Sequence, residues 1–282
     1  MTIPPLSELV VEDVVKRALL EDLGDAGDIT TKTTIPAGAQ TSAVIAARKP
    51  GIVAGVQCAL AAFHLVDPTI KTELVKGDGS TLNKSDAVIR LSGPARGILT
   101  AERVALNFLG HLSGVATATA ALVDGTHGTS AKIVCTRKTT PGLRALEKHA
   151  VRCGGGFNHR FGLYDAVMIK DNHIAAAGSI VGAVKAARGT LGHMVKIEVE
   201  ADRLGQVKEA LAAGADVIML DNMSPEDMTK AVALVDGHAV LEASGNVTAE
   251  TVPVIARTGV DIISSGWITH SAPTLDLGMD FE

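Results

Sequence analysis

Cationic side chains are concentrated in one stretch of this 282-residue chain, between Arg137 and His173. That stretch holds seven Lys or Arg residues against three acidic residues, a local charge of +4, whereas the whole chain has a formal net charge of -5. The rest of the chain therefore carries -9. Cations gathered in one segment of an acidic protein indicate a pocket for a small, strongly anionic substrate. Nucleic-acid binding would instead require a broad basic face.

Several cationic side chains are suited to bind carboxylate groups. Arginine binds a carboxylate with two parallel hydrogen bonds in one plane, and lysine and histidine add positive charge. Arg137 and Lys138 follow the apolar run 133–135, and Lys170 follows the run 166–169. Cations at neighbouring strand ends predict a substrate with more than one carboxylate. The candidates for this role are Arg103, Arg137 and Arg160, with Lys138, His159 and Lys170 adding charge.

The second half of the chain alternates between strand-like and helical patterns. Strands are predicted at 132–136, 166–170, 195–199, 216–220, 239–243 and 261–264. Helices are predicted at 143–151, 180–188, 202–213, 225–235 and 249–257. Such repeated units imply parallel strands joined by right-handed crossovers. Six or seven of these units favour an α/β fold with an open β/α barrel, and a doubly wound sheet is the alternative.

The first half of the chain has a different rhythm. Helices are predicted at 6–22 and 58–66, strands at 41–47, 51–56, 72–76 and 87–92, and a polar turn at 28–31. Short strands with hairpin-like connections indicate a mixed α+β unit. A long helix is predicted at 98–123, and the acidic segment 271–282 is expected to fold back on the first unit.

Polar residues at the ends of the later strands can complete a site, because β/α barrels place their active sites at the carboxyl ends of the strands. Glu198 and Asp221 can accept hydrogen bonds from sugar hydroxyls or hold Mg²⁺, directly or through substrate and water. Serine–glycine turns offer backbone N–H groups to a phosphate. These turns are Ser244-Gly245-Asn246 and Ser264-Ser265-Gly266. The ensemble predicts a sugar-phosphate site beside a polycarboxylate site.

Composition narrows the class of protein. No apolar run reaches about 18 residues, so no ordinary transmembrane helix is expected. The first residues lack the basic and apolar regions of a signal peptide. The three cysteines are widely spaced and match neither a disulfide framework nor a zinc motif. We therefore expect a cytoplasmic protein with reduced thiols.

The chain resembles the quinolinate phosphoribosyltransferase family over essentially its whole length. The resemblance rests on motifs that occur in order along the chain. They are Asp28–Thr31, Leu99–Arg103, Asn107–Gly114, Thr136–Thr139, Gly154–Arg160, Ile169–His173, Leu220–Asn222 and Glu242–Gly245. Ala243 stands where the family often has a serine, and Trp267 is an unusual residue after Gly266.

The resemblance implies an N-terminal α/β sandwich domain at 1–110, joined by the tail 271–282, and a barrel domain at 111–270. It implies a homodimer in which Arg103 enters the partner's active site. The implied reaction transfers the phosphoribosyl group of phosphoribosyl pyrophosphate to quinolinate and releases CO₂, with Mg²⁺ as cofactor. The implied catalytic residues are Lys138, Lys170, Glu198 and Asp221, and Glu198 and Asp221 would bind ribose or metal. The implied substrate-binding residues are Arg103, Thr136, Arg137, Lys138, His159, Arg160 and Lys170.

Other interpretations stay open at this point. Lys170 at a strand end also fits a Schiff-base aldolase. Related proteins of molybdenum transport, and a non-catalytic module that binds a pyridine carboxylate, are further alternatives. Arg144, Lys148 and Arg152 lie at helical spacing and form either a solvated face or, for Arg152, a phosphate contact.

Overall fold

The computed structural model describes residues 3–281, so Met1, Thr2 and Glu282, which the predicted domain limits include, lie outside the described residues. The chain forms two compact units. The first contains the residues up to Ala120, Thr139–Gly155 and the residues from Ile268 onward. The second contains Ala121–Lys138 and Gly156–Trp267. The domain limits expected from the sequence, 1–110 and 111–270, stay a prediction.

The first unit is built around an antiparallel sheet of four strands in the order β12-β1-β5-β3. Strand β12 comes from the end of the chain and pairs with β1 along Ala43–Ala47. Strands β2 and β4 form a separate antiparallel pair. The strands are β1 (Gln40–Ala47), β2 (Gly51–Ile52), β3 (Lys71–Leu74), β4 (Thr81–Leu82), β5 (Ala87–Pro94) and β12 (Leu277–Phe281).

Helices supply the rest of the first unit. They are α1 (Glu8–Leu23), α2 (Ile29–Thr34), α3 (Val56–Val66), α5 (Arg144–Cys153), α11 (Trp267–His270) and most of α4 (Ala95–Asp124). Within the described residues, α4 alone is long and apolar enough to cross a membrane by length and composition. Its most apolar window is 67% buried inside the structure, which is typical of a core helix.

The second unit is an open parallel sheet with helices between its strands. Its six strands have the order β6-β11-β10-β9-β8-β7, and the end strands β6 and β7 do not pair with each other in the described chain. The strands are β6 (Lys132–Val134), β7 (Val167–Ile169), β8 (Ile197–Ala201), β9 (Val217–Asp221), β10 (Val240–Ser244) and β11 (Ile262–Ser264). The helices are α6 (Asp171–Ala177), α7 (Ile180–Thr190), α8 (Leu204–Ala212), α9 (Pro225–Val235) and α10 (Val252–Ala256). The predicted fold class is confirmed, with six barrel strands.

Several local predictions differ from the structure. Residues 28–31 are not a turn, because Asp28 caps α2 by accepting a hydrogen bond from the Thr31 N–H. The run 51–56 is strand only over β2, since Gly55 at φ 92° turns the chain into α3. The helix α6, which starts immediately after Lys170, was not predicted. Strand β8 ends at Ala201, two residues beyond its predicted end.

Candidate active site

The two faces of the barrel sheet differ in chemistry because side chains alternate along each strand. One face carries buried apolar groups, among them Val199, Ile218, Leu220, Leu241 and Ile263. The other face carries carboxylates. Glu200 and Glu242 are each in register with Met219 on the strand between them, so all three share this face. Glu198 lies two residues before Glu200 on the same face. The face with the carboxylates is the inner face of the barrel and the apolar face is the outer one. The acidic side chains therefore lie inside the barrel.

The carboxyl ends of the strands meet at one edge, where the predicted site residues lie. Ser244 is in register with Asp221 on one side and with Ser264 on the other. Ser264 is in turn paired with Val134, and the Ser265 N–H donates to the Val134 carbonyl at 3.0 Å. The segments predicted to bind ribose and phosphate therefore form neighbouring parts of a single edge.

The turns after β9 and β10 are held in an unusual backbone conformation. Asn222 (φ 54°), Gly245 (φ 96°) and Asn246 (φ 51°) all occupy the left-handed region. The Asn222 N–H donates to the Ser244 carbonyl at 2.9 Å, and a Cβ at Gly245 would lie 2.0 Å from Asn222 Oδ1. Glycine is therefore required at 245. The hydrogen bond and the close packing between the two turns stabilise both of them. Strained turns of this kind are concentrated at ligand sites.

Two arginines present donors that the protein does not use. The Nε atoms of Arg137 and Arg160 are buried and have no hydrogen-bond partner within residues 3–281. One Nη atom of Arg160 donates to the Ala166 carbonyl at 2.9 Å. Burial lowers the pKa of Arg160 below its usual value, the nearby Arg137 lowers it further, and Glu198 opposes both effects. Two repelling guanidinium groups with unpaired donors indicate a site for an anion.

His159, Glu198 and Glu242 form a buried cluster inside the barrel. His159 Nε2 lies 3.0 Å from Glu198 Oε2 and 3.5 Å from Glu242 Oε2. The pKa of Glu242 is raised to about 7, mainly by burial and then by the charge of Glu198. These three residues are close enough to share one metal ion. The sequence placed His159 among the substrate ligands and Glu198 among the ribose and metal ligands, and both assignments stay predictions. Glu242 was recognised only as part of a motif and was given no role.

Glu200 was also given no role in the predicted site, although it lies nearer the carboxyl edge than Glu198. Its Oε2 lies 2.6 Å from Lys170 Nζ, and both side chains retain access to solvent. Glu198 in contrast is only 5% exposed. The alternation of charged and apolar residues in β8, Ile-Glu-Val-Glu-Ala, is the sequence signal that identifies both glutamates as inner-face residues.

The other predicted residues have individual placements. Thr136 and Lys138 lie after β6, where the Lys138 N–H donates to Thr136 Oγ1 at 3.0 Å. Lys138 and Lys170 are exposed, whereas Gly266 is half-buried. Arg103 is exposed on α4 in the first unit, and its role across a dimer interface stays a prediction.

The helix α5 does not present a solvated cationic face. Lys148 is fully buried, so the solvated alternative is wrong for this residue, and Arg152 is half-buried. His149 Nε2 lies 2.8 Å from Asp78 Oδ2 in a cluster that includes Cys153. This group is part of the core of the first unit.

A cavity of about 250 Å³ lies at the ends of β9 and β10. Its walls include the polar turn residues Asn222, Gly245 and Asn246 and the apolar residues Met223 and Met228. None of its lining residues is Lys or Arg, so this cavity is distinct from the cationic site around Arg137 and Arg160.

This chain is similar to known proteins in both sequence and fold. A relative from Bacillus subtilis named "Probable nicotinate-nucleotide pyrophosphorylase [carboxylating]" is 47% identical over 276 residues, covering 98% of this chain and 94% of the relative. A Mycobacterium leprae relative named nicotinate-nucleotide pyrophosphorylase [carboxylating] is 44% identical, covering 95% of this chain and 96% of the relative. The solved nicotinate-nucleotide pyrophosphorylase of Francisella tularensis has a TM-score of 0.95 at 39% identity, covering 100% of this chain and 99% of that one.

The family models divide the chain near the middle of α4. The model of the quinolinate phosphoribosyl transferase N-terminal domain matches residues 28–113. The model of the C-terminal domain matches residues 115–280 and so includes the whole barrel sheet with its cationic edge. With both domains matched in order and relatives above 40% identity over nearly the full length, this chain belongs to the quinolinate phosphoribosyltransferase family.

Proposed function

We propose that this protein transfers the phosphoribosyl group of phosphoribosyl pyrophosphate to quinolinate, with release of pyrophosphate and CO₂ and formation of nicotinate mononucleotide. One observation supports the anionic substrate most directly: the neighbouring guanidinium groups of Arg137 and Arg160 keep buried Nε donors without a partner in the described chain. An unpaired buried donor costs about 1–3 kcal/mol, which a bound carboxylate would recover.

Quinolinate matches the cations at this edge. It carries carboxylates on two adjacent carbons of a pyridine ring, so two anionic groups must be bound side by side. Arg137 and Arg160 can each offer a planar pair of donors, and Lys138 and Lys170 add charge at the exposed rim. Binding both carboxylates would fix the ring nitrogen toward the neighbouring sugar site.

The chemistry requires positioning rather than a protein nucleophile. The ring nitrogen has a free electron pair, so it can attack C1 of the ribose without losing a proton. The C1–oxygen bond breaks and pyrophosphate leaves with its electrons. The nitrogen is now cationic and withdraws electrons from the ring, so the C2 carboxylate can leave as CO₂. The electron pair left on C2 then takes up a proton. The protein's contribution is orientation and preorganised charge.

Carboxylates at the edge would hold the ribose while positive charge develops at C1. Asp221 lies at the end of β9, and its Oδ2 accepts a hydrogen bond from Asn222 Nδ2 at 3.1 Å. We assign the second ribose carboxylate to Glu200, because Glu198 is buried against His159. Accessible carboxylate oxygens also suit a hard cation, so Glu200 and Asp221 would hold Mg²⁺ directly or through substrate and water. Bound Mg²⁺ would neutralise charge on the pyrophosphate.

The turns after β10 and β11 would bind the 5′-phosphate. Backbone N–H groups in tight serine–glycine turns can point together at an anion. Gly245 and Asn246 have left-handed backbones. Ser264, the last residue of the adjacent strand β11, and Ser265, which follows it, are both buried. The candidate phosphate ligands remain Ser244, Gly245, Asn246, Ser264, Ser265 and Gly266.

The contact between Lys170 and Glu200 disfavours the aldolase alternative. A Schiff base forms from a neutral amine, whereas Lys170 Nζ lies 2.6 Å from a carboxylate, the arrangement of an ammonium ion. The relatives that match the full chain are named as carboxylating pyrophosphorylases, which also favours the transferase over a transport-associated or non-catalytic protein.

The proposal includes a cytoplasmic homodimer in which Arg103 completes the partner's site. Arg103→Ala and Lys170→Ala variants would then each be inactive alone. Mixing and refolding them should restore about a quarter of the wild-type activity, because half of the random dimers are mixed and each has one intact site. If the mixture regained no activity, the assignment of Arg103 to the partner's site would be wrong.

A product assay tests the reaction itself. Purified protein is incubated with quinolinate, phosphoribosyl pyrophosphate and Mg²⁺, and CO₂ and pyrophosphate are measured together. We expect equal amounts of both products and none when either substrate is omitted. Binding of quinolinate without product release would instead identify a non-catalytic binding module.

A further inference from the structure

The cluster of His159, Glu198 and Glu242 joins three separate segments inside the barrel. His159 follows the short bridge between Phe157 and β6, Glu198 lies on β8, and Glu242 lies on β10. Both glutamates are almost completely buried, with relative exposures of 5% and 1%. Burying two carboxylates is costly, so their arrangement around one histidine requires a reason.

Hydrogen bonds define how the His159 ring is used. The Arg160 backbone N–H donates to His159 Nδ1 at 2.7 Å, so Nδ1 is an acceptor. The ring proton then lies on Nε2, which points at Glu198 Oε2 at 3.0 Å and Glu242 Oε2 at 3.5 Å. Both nitrogens of the ring are therefore engaged by the protein itself.

The carboxylates also act on Arg160. Glu198, together with Asp165, favours the charged form of the Arg160 guanidinium. Arg160 is further held by its own backbone bond to His159 and by the bond from Nη1 to the Ala166 carbonyl. Its Nε atom remains buried without a partner in the described chain. These contacts thus hold Arg160 in one orientation, and its Nε atom remains available to a ligand.

The carboxylates are not saturated by these contacts. Glu198 Oε1 and Glu242 Oε1 are both buried and have no hydrogen-bond partner among the described residues. The other oxygen of each carboxyl group faces His159 Nε2, at 3.0 Å for Glu198 and 3.5 Å for Glu242, so the histidine is the side chain that links the two acids.

We propose that Glu242 and Glu198 are positioning residues that act through His159 to aim the Arg160 guanidinium at a substrate carboxylate. This inference rests on the proposed function, since it assigns Arg160 to quinolinate.

Substitutions at Glu242 separate this role from a general effect on the barrel. Glu242→Gln keeps the size and hydrogen-bonding capacity of a protonated carboxyl group, and Glu242→Met keeps the size alone. We expect Glu242→Met to raise the KM for quinolinate by about 5-fold or more, with the KM for phosphoribosyl pyrophosphate within about 2-fold of wild type. Glu242→Gln should restore most of the loss. Met219→Leu, on the same inner face between β8 and β10, is the control for repacking and should resemble wild type.

A double-mutant cycle with Arg160 gives the decisive readout. If Glu242 acts through Arg160, then Glu242→Met should change the quinolinate KM by less than about 2-fold in an Arg160→Lys background. An undiminished effect in that background, or an equal rise in the KM of both substrates, would overturn the proposal. Glu198→Gln removes the charge of the carboxylate that lies 3.0 Å from His159 Nε2 and keeps its size. It serves as a second test if Glu242→Met does not fold, with the same expected rise in the quinolinate KM.

Wild-type turnover in the same assay separates this inference from the proposed function. Product formation by wild type supports the transferase activity whatever the variants do. The ratio of variant to wild-type KM for quinolinate then decides the positioning role. An inactive wild type would refute the proposed function, and equal quinolinate binding by wild type and Glu242→Met in calorimetry would refute the positioning role on its own.

Discussion

Replacing Glu200 with glutamine removes a negative charge from the barrel edge while it preserves the size of the side chain. Glu200 Oε2 lies 2.6 Å from Lys170 Nζ, and the two side chains are 19% and 46% exposed. Our assignment gives Glu200 a contact with the ribose of phosphoribosyl pyrophosphate. The substitution therefore separates the stability of an ion pair from the binding of a substrate.

The two effects differ in size. Solvent screens a pair as exposed as Lys170 and Glu200, so its loss should change the free energy of unfolding by less than about 1 kcal/mol. Loss of charged hydrogen bonds to the ribose in the transition state should cost about 1.5–3 kcal/mol. That cost corresponds to a decrease of roughly 10- to 150-fold in kcat/KM for phosphoribosyl pyrophosphate.

Steady-state kinetics with each substrate varied in turn, together with thermal unfolding, measures both effects. Glu226→Gln, an exposed glutamate on α9, is the matched control for the loss of one charge. A Glu200→Gln variant with wild-type kcat/KM for phosphoribosyl pyrophosphate would refute our ribose assignment. If Glu198→Gln lowered that parameter instead, the original assignment to Glu198 would be correct.

Three further predictions follow from the same geometry. Arg160→Lys keeps the charge but loses the planar donor pair, and it should raise the quinolinate KM by roughly 10- to 150-fold in steady-state assays; an unchanged KM would exclude the contact. The pKa of Glu242 is raised from 4.5 to about 7, so between these two pH values the folded state binds more protons than the unfolded state. The free energy of unfolding therefore declines as the pH rises through this range. Relative to Glu242→Gln, wild type should lose up to about 3 kcal/mol of unfolding free energy between about pH 5 and pH 8 in urea titrations, and parallel pH profiles would contradict this. Burial raises the pKa of the Cys58 and Cys153 thiols to about 12, so both should resist alkylation near neutral pH until the protein unfolds, as followed by mass spectrometry; rapid labelling of the native protein would contradict their burial.

The barrel and its cationic edge follow from local sequence signals. Apolar runs that end in Arg137-Lys138, in Lys170 and in Asp221 predict strand ends, and parallel strands bring those ends to one edge. The fold prediction is confirmed because hydrophobic periodicity and turn residues agree along the second half of the chain. What such patterns do not fix is the last residue of each strand.

The sequence assigned the ribose contact to Glu198 and not to Glu200 because the end of strand β8 was not known. A strand predicted to end at residue 199 places Glu198 close to the edge, whereas the actual strand β8 continues to Ala201. The two-residue shift preserves the face but moves Glu198 down into the barrel and leaves Glu200 at the edge. Pairing with distant groups, Lys170 for Glu200 and His159 for Glu198, depends on tertiary structure and has no local signal.

Helix α6 is a second feature that the sequence patterns did not predict. The segment Lys170-Asp171-Asn172-His173 has the polar composition of a loop, yet a helix begins at Asp171. The Lys170 N–H donates to His173 Nδ1 at 3.0 Å, which satisfies one backbone donor at the helix start. Sequence composition predicted a functional role for this segment but did not predict the helix that begins there.

The preference for two adjacent carboxylates is tested most directly by comparing quinolinate with nicotinate under identical steady-state conditions. Nicotinate has the same ring and one carboxylate but lacks the group at C2. Our account predicts turnover of quinolinate and no measurable turnover of nicotinate. Equal turnover of the two acids would contradict the assignment of Arg137, Arg160 and their neighbouring cations to a dicarboxylate.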